Sequence, residues 1–167
     1  MSTPILTLTD DPPEEAERRI SDELDHFNER RTGVVHSHPL AVLITTQGSS
    51  DVRGGLIGRT SLGLLFVDLV FVPDELRGHG IGARLMRDAE AEAVRRGCSQ
   101  AVLFTIAFQA PDFYRRLGYR EFGRTDSDNP DHARVFMKKD LETKRAGPEG
   151  LLLAEPDARH DEDGGEA

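Results

Sequence analysis

The sequence predicts a single α/β (α+β) domain built on a mixed, twisted sheet flanked by helices. Three observations carry that expectation. An apolar run, Leu64 to Val72, is followed by a glycine-rich turn, Arg77-Gly78-His79-Gly80-Ile81-Gly82. A helical stripe, Ile81, Leu85, Ala89 and Ala93, begins inside that turn. A second β-type run, Ala101 to Ala107, comes next. A strand, a crossover helix over Gly80–Arg96 and another strand make a βαβ unit, so the two strands should run parallel at the centre of the sheet.

The remaining elements come in order along the chain. Pro4 to Thr9 alternates weakly and is expected to form a first strand. Asp10 and Asp11 before Pro12-Pro13-Glu14-Glu15 read as a helix start, with a cap, a proline and then acids. Ala16, Ile20, Leu24 and Phe27 recur at helical spacing, and Gly33 stops a helix that should reach Arg31. Leu40–Thr45 and Val52–Arg59 read as strands around a turn at Gln47–Asp51. Leu64–Val72 is almost continuously apolar, so both of its faces should be covered. Arg95, Arg96 and Gly97 close the main helix. Ala110–Leu117 reads as a short helix stopped by Gly118, and Tyr119–Gly123 with Arg134–Lys138 as an antiparallel strand pair.

The domain should end at Leu141. Residues 142–167 are rich in Gly, Pro, Glu and Asp and read as an acidic, mostly disordered tail interrupted by Leu151-Leu152-Leu153. The formal net charge is −9, of which the tail holds about −5 by side-chain count. No basic stripe marks a nucleic-acid surface. No apolar run is long enough to span a bilayer, and Met1–Thr9 does not read as a secretion signal. The single cysteine, Cys98, suits a reducing cytoplasm. No His, Cys or carboxylate spacing suggests a metal site.

The glycine-rich turn carries the chemistry. Glycines let the backbone approach an anion closely, and the first turn of a helix presents unpaired N–H groups at the positive end of its dipole. The turn therefore predicts a phosphate-bearing ligand. It is not a P-loop, because no Lys-Ser or Lys-Thr follows the glycines. It is not a dinucleotide loop, because the third glycine and the acidic residue after the next strand are missing.

What remains, Arg77-x-x-Gly80-x-Gly82, resembles the acetyl-CoA loop of the GNAT N-acetyltransferases. Downstream, Phe113-Tyr114-Arg115-Arg116-Leu117-Gly118-Tyr119, preceded by Ala110, resembles the same family's second segment. The resemblance covers Leu40 to Leu141. It implies a GNAT-like sheet whose parallel strands splay around CoA, and transfer of an acetyl group from acetyl-CoA to a primary amine of a small molecule or protein. It assigns the pyrophosphate to the backbone of Gly78, His79, Gly80, Ile81, Gly82 and Ala83, with Arg77 adding charge. It assigns the acetyl oxygen to a backbone N–H near Phe71 or Val72, beside a bulge in the strand. It makes Tyr114 the acid that protonates the departing thiolate, since a phenol near pKa 10 and a thiol near about 8.5 are close enough for proton donation.

Several roles stay open. Asp68, four residues before Val72, is the candidate base or ammonium anchor; a purely structural carboxylate fits equally well. His132 and His26 are the alternative bases. Gln109 either contacts the acyl arm or caps a turn. Asn28 either lines the acceptor side or simply ends a helix. Cys98 reads as a small buried side chain. A homodimer is one assembly the sequence allows. The competing function is a GNAT fold that holds CoA without catalysis.

Overall fold

The structure is a computed structural model that describes residues 4–33 and 37–142. His36 and the tail beyond Glu142, with Leu151–Leu153, lie outside the described residues. In chain order the elements are α1 (Glu14–Thr32), β1 (Ser37–Thr45), β2 (Val52–Ser61), β3 (Leu64–Phe71), α2 (Ile81–Arg95), β4 (Gln100–Ile106), α3 (Pro111–Arg116), β5 (Arg120–Arg124) and β6 (Arg134–Asp140). Two short 3₁₀ turns, Asp74–Leu76 and Pro130–His132, sit after β3 and before β6.

The six strands form one sheet in the order β1-β2-β3-β4-β6-β5. Among the described residues only β3 and β4 pair in parallel. Helix α2 crosses between them, as the strand–turn–helix–strand pattern requires, so the sheet is mixed and its centre is the βαβ unit. Strand β6 inserts between β4 and β5, which leaves β5 at the edge.

The core lies between α2 and the near face of the sheet. Leu85, Met86, Ala89 and Ala93 on one side of α2 meet Leu40, Leu56, Leu65, Val67, Leu103 and Met137. The spacing i, i+3 or i+4 puts the helix residues on one stripe, and alternation puts the strand residues on one face. Gly97 ends α2 in the left-handed conformation, φ +84°, and Gly33 does the same for α1, φ +77°.

Several expectations need correction. Pro4–Thr9 is irregular and exposed instead of forming a strand: it joins no ladder, and an isolated extended segment has nothing to satisfy its backbone or cover Ile5, Leu6 and Leu8. The acids before α1 do not cap it. Pro13 is the boundary residue, without a side-chain cap, and Asp11 instead donates its N–H to the Thr9 hydroxyl at 3.0 Å. Strand β3 is not covered on both faces. Leu65 and Val67 are buried under α2, but Leu69 and Phe71 on the other side of the strand are exposed. The α1 stripe forms at the expected spacing, yet Ile20, Leu24 and Phe27 are exposed and α1 buries no residue.

One irregularity in the sheet sets the geometry at the end of β3. Ile57 pairs with Leu69 but Gly58 pairs with Val67, so Asp68 is the extra residue of a β-bulge. Gly58 is glycine for a steric reason: a Cβ there would lie 2.2 Å from the Phe66 carbonyl oxygen. Gly58→Ala is expected to destabilise the domain by about 1–3 kcal/mol, the range for overpacking. That corresponds to a melting temperature roughly 2–12 °C lower at this chain length. Thermal unfolding of the variant checks it, and an unchanged midpoint would show that the bulge absorbs the methyl group.

Candidate active site

The parallel pairing of β3 with β4 is short. It runs from Leu64↔Gln100 to Val67↔Leu103 and stops there. Strand β3 continues to Phe71 alongside β2 only, and β4 continues to Ile106 alongside β6 only. The two central strands therefore splay from Asp68 onward. The opening begins at the bulge, because the extra residue turns β3 away from its parallel neighbour.

The glycine-rich turn closes the top of this opening. Gly78 and Gly80 both hold left-handed backbone, φ +78° and +76°, which an L side chain adopts only with strain. A Cβ on either would meet nothing within 4 Å, so both face open space. Gly80 starts α2 without a side-chain cap. The first-turn N–H groups, those of Ile81, Gly82 and Ala83, consequently have no capping oxygen and sit at the positive end of a 15-residue helix. A concave run of unpaired N–H groups with no side chain in front fits a pyrophosphate. His79 is exposed and contributes its main chain to the turn.

Arg77 is turned back on the loop. Its Nε donates to the Val72 carbonyl at 3.0 Å, and an Nη1 lies 2.8 Å from Asp74. An ion pair between Arg53 and Glu75 ties the same turn to β2. These contacts hold the turn against the end of β3. Val72 is half-buried and Phe71 exposed at the mouth of the splay.

Gly82 joins the two sequence motifs. A Cβ there would lie 3.2 Å from the Phe113 ring and 3.7 Å from Val72. Phe113 stands on α3 beside Tyr114, their rings edge to face with centroids 5.0 Å apart. Tyr114 is 8% exposed, and burial pushes its hydroxyl above the ordinary tyrosine range. That hydroxyl bonds to no other group among the described residues. Its neighbour Tyr119, 5.9 Å away edge to face, differs in this respect. Tyr119 donates its hydroxyl to Glu90 at 3.0 Å, and Lys139 holds the other Glu90 oxygen at 2.6 Å. Burial, and then the Glu90 carboxylate, push Tyr119 far up as well. A fixed, fully bonded Tyr119 thus supports a Tyr114 whose hydroxyl lacks a partner.

The family model for the GNAT acetyltransferase domain matches residues 40–121. An acetyltransferase of Agrobacterium fabrum, Atu2258, is 40% identical over 118 residues, which is 71% of this chain and 85% of that protein. The chain belongs to the GNAT acetyltransferase family. The blasticidin-S acetyltransferase of Streptomyces morookaense is 43% identical over 94 residues, 54% of this chain and 69% of that one. A crystal structure of a proposed acetyltransferase from Agrobacterium tumefaciens superposes with a TM-score of 0.73 at 34% identity, covering 81% of this chain and 98% of its own. This GNAT member is thus an acetyltransferase, and its mixed sheet with one parallel pair is the GNAT fold.

The other sequence candidates fall around the splay or away from it. Asp68, the bulge residue, is taken up by an ion pair: Arg59 Nη1 lies 2.7 Å from each of its carboxylate oxygens. Gln109 folds back on the end of β4, where its side-chain carbonyl accepts the Ile106 N–H at 3.3 Å. His132 sits in the 3₁₀ turn that adjoins the β4 end, where the Phe108 N–H donates to the Asp131 carbonyl. His26 and Asn28 are on α1, the first exposed and the second half-buried. Cys98 is buried, and burial pushes its thiol up, as befits a packing residue. Among the described residues no cluster of His, Cys, Asp or Glu could hold a metal, and no helix is long and apolar enough to cross a membrane.

Two participants escape sequence reading. Arg59 is one of many arginines until strand register sets it beside Asp68. Glu90 lies on the apolar side of α2, and only its polarity inside the stripe Met86-Ala89-Ala93 could have singled it out.

Proposed function

We propose that this GNAT protein transfers the acetyl group of acetyl-CoA directly to a primary amine. The observation that carries the reading is the splay of β3 from β4 at the Asp68 bulge, with the glycine cradle at one end and the unpartnered Tyr114 hydroxyl beside it. GNAT acetyltransferases in general draw on acetyl-CoA, which supplies the acetyl group as a thioester.

The residues divide the work. The backbone from Gly78 to Ala83 binds the pyrophosphate. A backbone N–H at Phe71 or Val72 polarises the thioester carbonyl, as a fixed dipole aimed at developing charge. Tyr114 donates its proton to the thiolate. Burial keeps that phenol protonated at neutral pH, and the same burial raises the basicity of a thiolate beside it. Asp68 receives the acceptor on the other side of the opening. The lone, buried Cys98 fits action in a reducing cytoplasm. The acceptor is a small-molecule or protein amine, with no nucleic acid or membrane involved.

Release of free thiol from acetyl-CoA with a broad panel of amines tests this. Acetyl-CoA binding without thiol release for any amine would point to a CoA-holding scaffold instead.

Asp68→Asn should shift the pH dependence of turnover more than it weakens acetyl-CoA binding. A lysine-type amine has a pKa of about 10.4, so only roughly one part in a thousand is neutral near pH 7.4. A carboxylate attracts that cation and relays its proton to water. Asparagine keeps the shape and loses the charge. The neutral amine must then come from solution, and the rate should keep climbing with pH where the wild type has levelled off. Identical pH–rate profiles would remove Asp68 from the reaction and turn attention to His132.

A further inference from the structure

The Arg59–Asp68 pair stands at the point where the central strands part. Arg59 is in register with Phe66 across β2 and β3, and its guanidinium lies 4.7 Å from the Phe66 ring centre. Its Nη1 alone donates to both Asp68 oxygens at 2.7 Å, with each side chain nearly half exposed. Leu69 and Phe71, both exposed, lead from the pair toward the end of β3. The pair is reachable from solvent, and it sits one residue past the last parallel pairing.

A plain amine as acceptor would satisfy only one half of this pair. A cation that displaces Arg59 from Asp68 would leave the guanidinium unpaired beside it, and like charges at that range repel. An acceptor carrying only an anion would strand Asp68 in the same way. An acceptor carrying both charges exchanges one internal ion pair for two external ones. Its ammonium takes Asp68, its carboxylate takes the Arg59 fork, and no charge is left over. Exposed ion pairs contribute little, so opening the pair costs little. A planar guanidinium held over an aromatic ring is already oriented for a carboxylate.

We propose that Arg59 is a specificity-determining residue and that the acceptor is a zwitterion, an amine with a carboxylate one to three carbons away. The proposal rests on direct acetyl transfer to an amine. The ammonium loses a proton through Asp68 to water, the amine nitrogen bonds to the acetyl carbon as the carbon–sulfur bond breaks, the thiolate takes a proton from Tyr114, and the second proton shed by the new amide nitrogen passes through solvent to restore the Tyr114 phenol. The carboxylate stays on Arg59 unchanged.

Matched acceptors that differ only in the carboxylate test it: glycine against ethylamine, β-alanine against n-propylamine, 4-aminobutanoate against n-butylamine, and L-lysine against cadaverine. Thiol release is measured over a range of pH and expressed per concentration of neutral amine. The expected result is a kcat/KM at least about tenfold higher for the carboxylate member of one or more pairs, the scale of a charge-assisted hydrogen bond. Arg59→Gln should erase that preference, and Arg59→Lys should restore part of it, with acetyl-CoA affinity unaltered in both. Equal rates within every reactive pair, or a preference for the carboxylate-free member, would overturn the proposal while leaving amine transfer intact. A preference that survives in Arg59→Gln would overturn the role of Arg59. Acetyl-CoA binding with no thiol release from any amine would overturn amine transfer itself and the proposal with it. Should Arg59→Gln fail to fold, the wild-type comparison and Arg59→Lys still decide.

Discussion

Acetyl-CoA should raise the melting temperature of the wild-type protein, and Gly82→Glu should abolish that rise. At a ligand concentration of 100 times Kd, binding to the native state alone contributes about 2.7 kcal/mol. For a chain of this length that is a shift of roughly 5–11 °C. Gly82 has space for no large side chain, because even a Cβ sits 3.2 Å from the Phe113 ring. A glutamate must therefore swing toward the cradle, where its charge meets the pyrophosphate. Gly80→Glu should have the same effect by another route. Its φ of +76° strains any L side chain, and the open space in front of it is where the anion binds. Gly82→Ala is the control: it adds the tight Cβ without the charge and should keep a measurable shift. Differential scanning fluorimetry with and without acetyl-CoA reads all three. A full shift in both glutamate variants would move the ligand away from the Gly78–Ala83 turn.

Tyr114→Phe is expected to lower turnover by about 10²-fold, the usual contribution of a positioned acid, and to leave acetyl-CoA affinity nearly intact. The substitution removes one oxygen from a ring held edge to face by Phe113 and Tyr119. The hydroxyl bonds to no described protein group, so its loss should leave stability close to the wild type. A buried hydroxyl without a protein partner is unusual and calls for a role. Because burial raises the phenol above its ordinary value, the wild-type rate should not fall with rising pH before about pH 10 on account of Tyr114. Steady-state kinetics of the two proteins give the comparison. Turnover within twofold of wild type would mean that solvent protonates the thiolate.

The backbone framework of the candidate site was legible in the sequence. Arg77-x-x-Gly80-x-Gly82 is a local signal, because left-handed backbone and a bare helix start depend on glycines at fixed offsets and need no distant partner. The βαβ unit was legible for a similar reason: a strand period, a helical stripe and a second strand period follow within 44 residues, from Leu64 to Ala107. The resemblance set Tyr114 against the CoA sulfur, and the contact of Gly82 with Phe113, the neighbour of Tyr114 on α3, brings that helix to the glycine turn.

Other features could not be read this way. Pro4–Thr9 alternates like a strand, yet a strand exists only when an edge accepts it, and the sequence does not say which edges are open. The exposed side of β3 looked like core because Leu69 and Phe71 are apolar; whether a face is covered depends on helices packed elsewhere.

The sequence by itself determined the βαβ centre, the glycine cradle and the family, since each rests on residue type at short range. Only the tertiary structure decided the state of Asp68. The bulge arises because Gly58 opposes Val67 while Ile57 opposes Leu69, a shift set by how two strands separated by a turn align. That alignment brings Arg59 onto a carboxylate nine positions away and opens β3 from β4 at the same residue. Charge at the mouth of the site is therefore a property of strand register, and strand register is fixed by packing across the sheet.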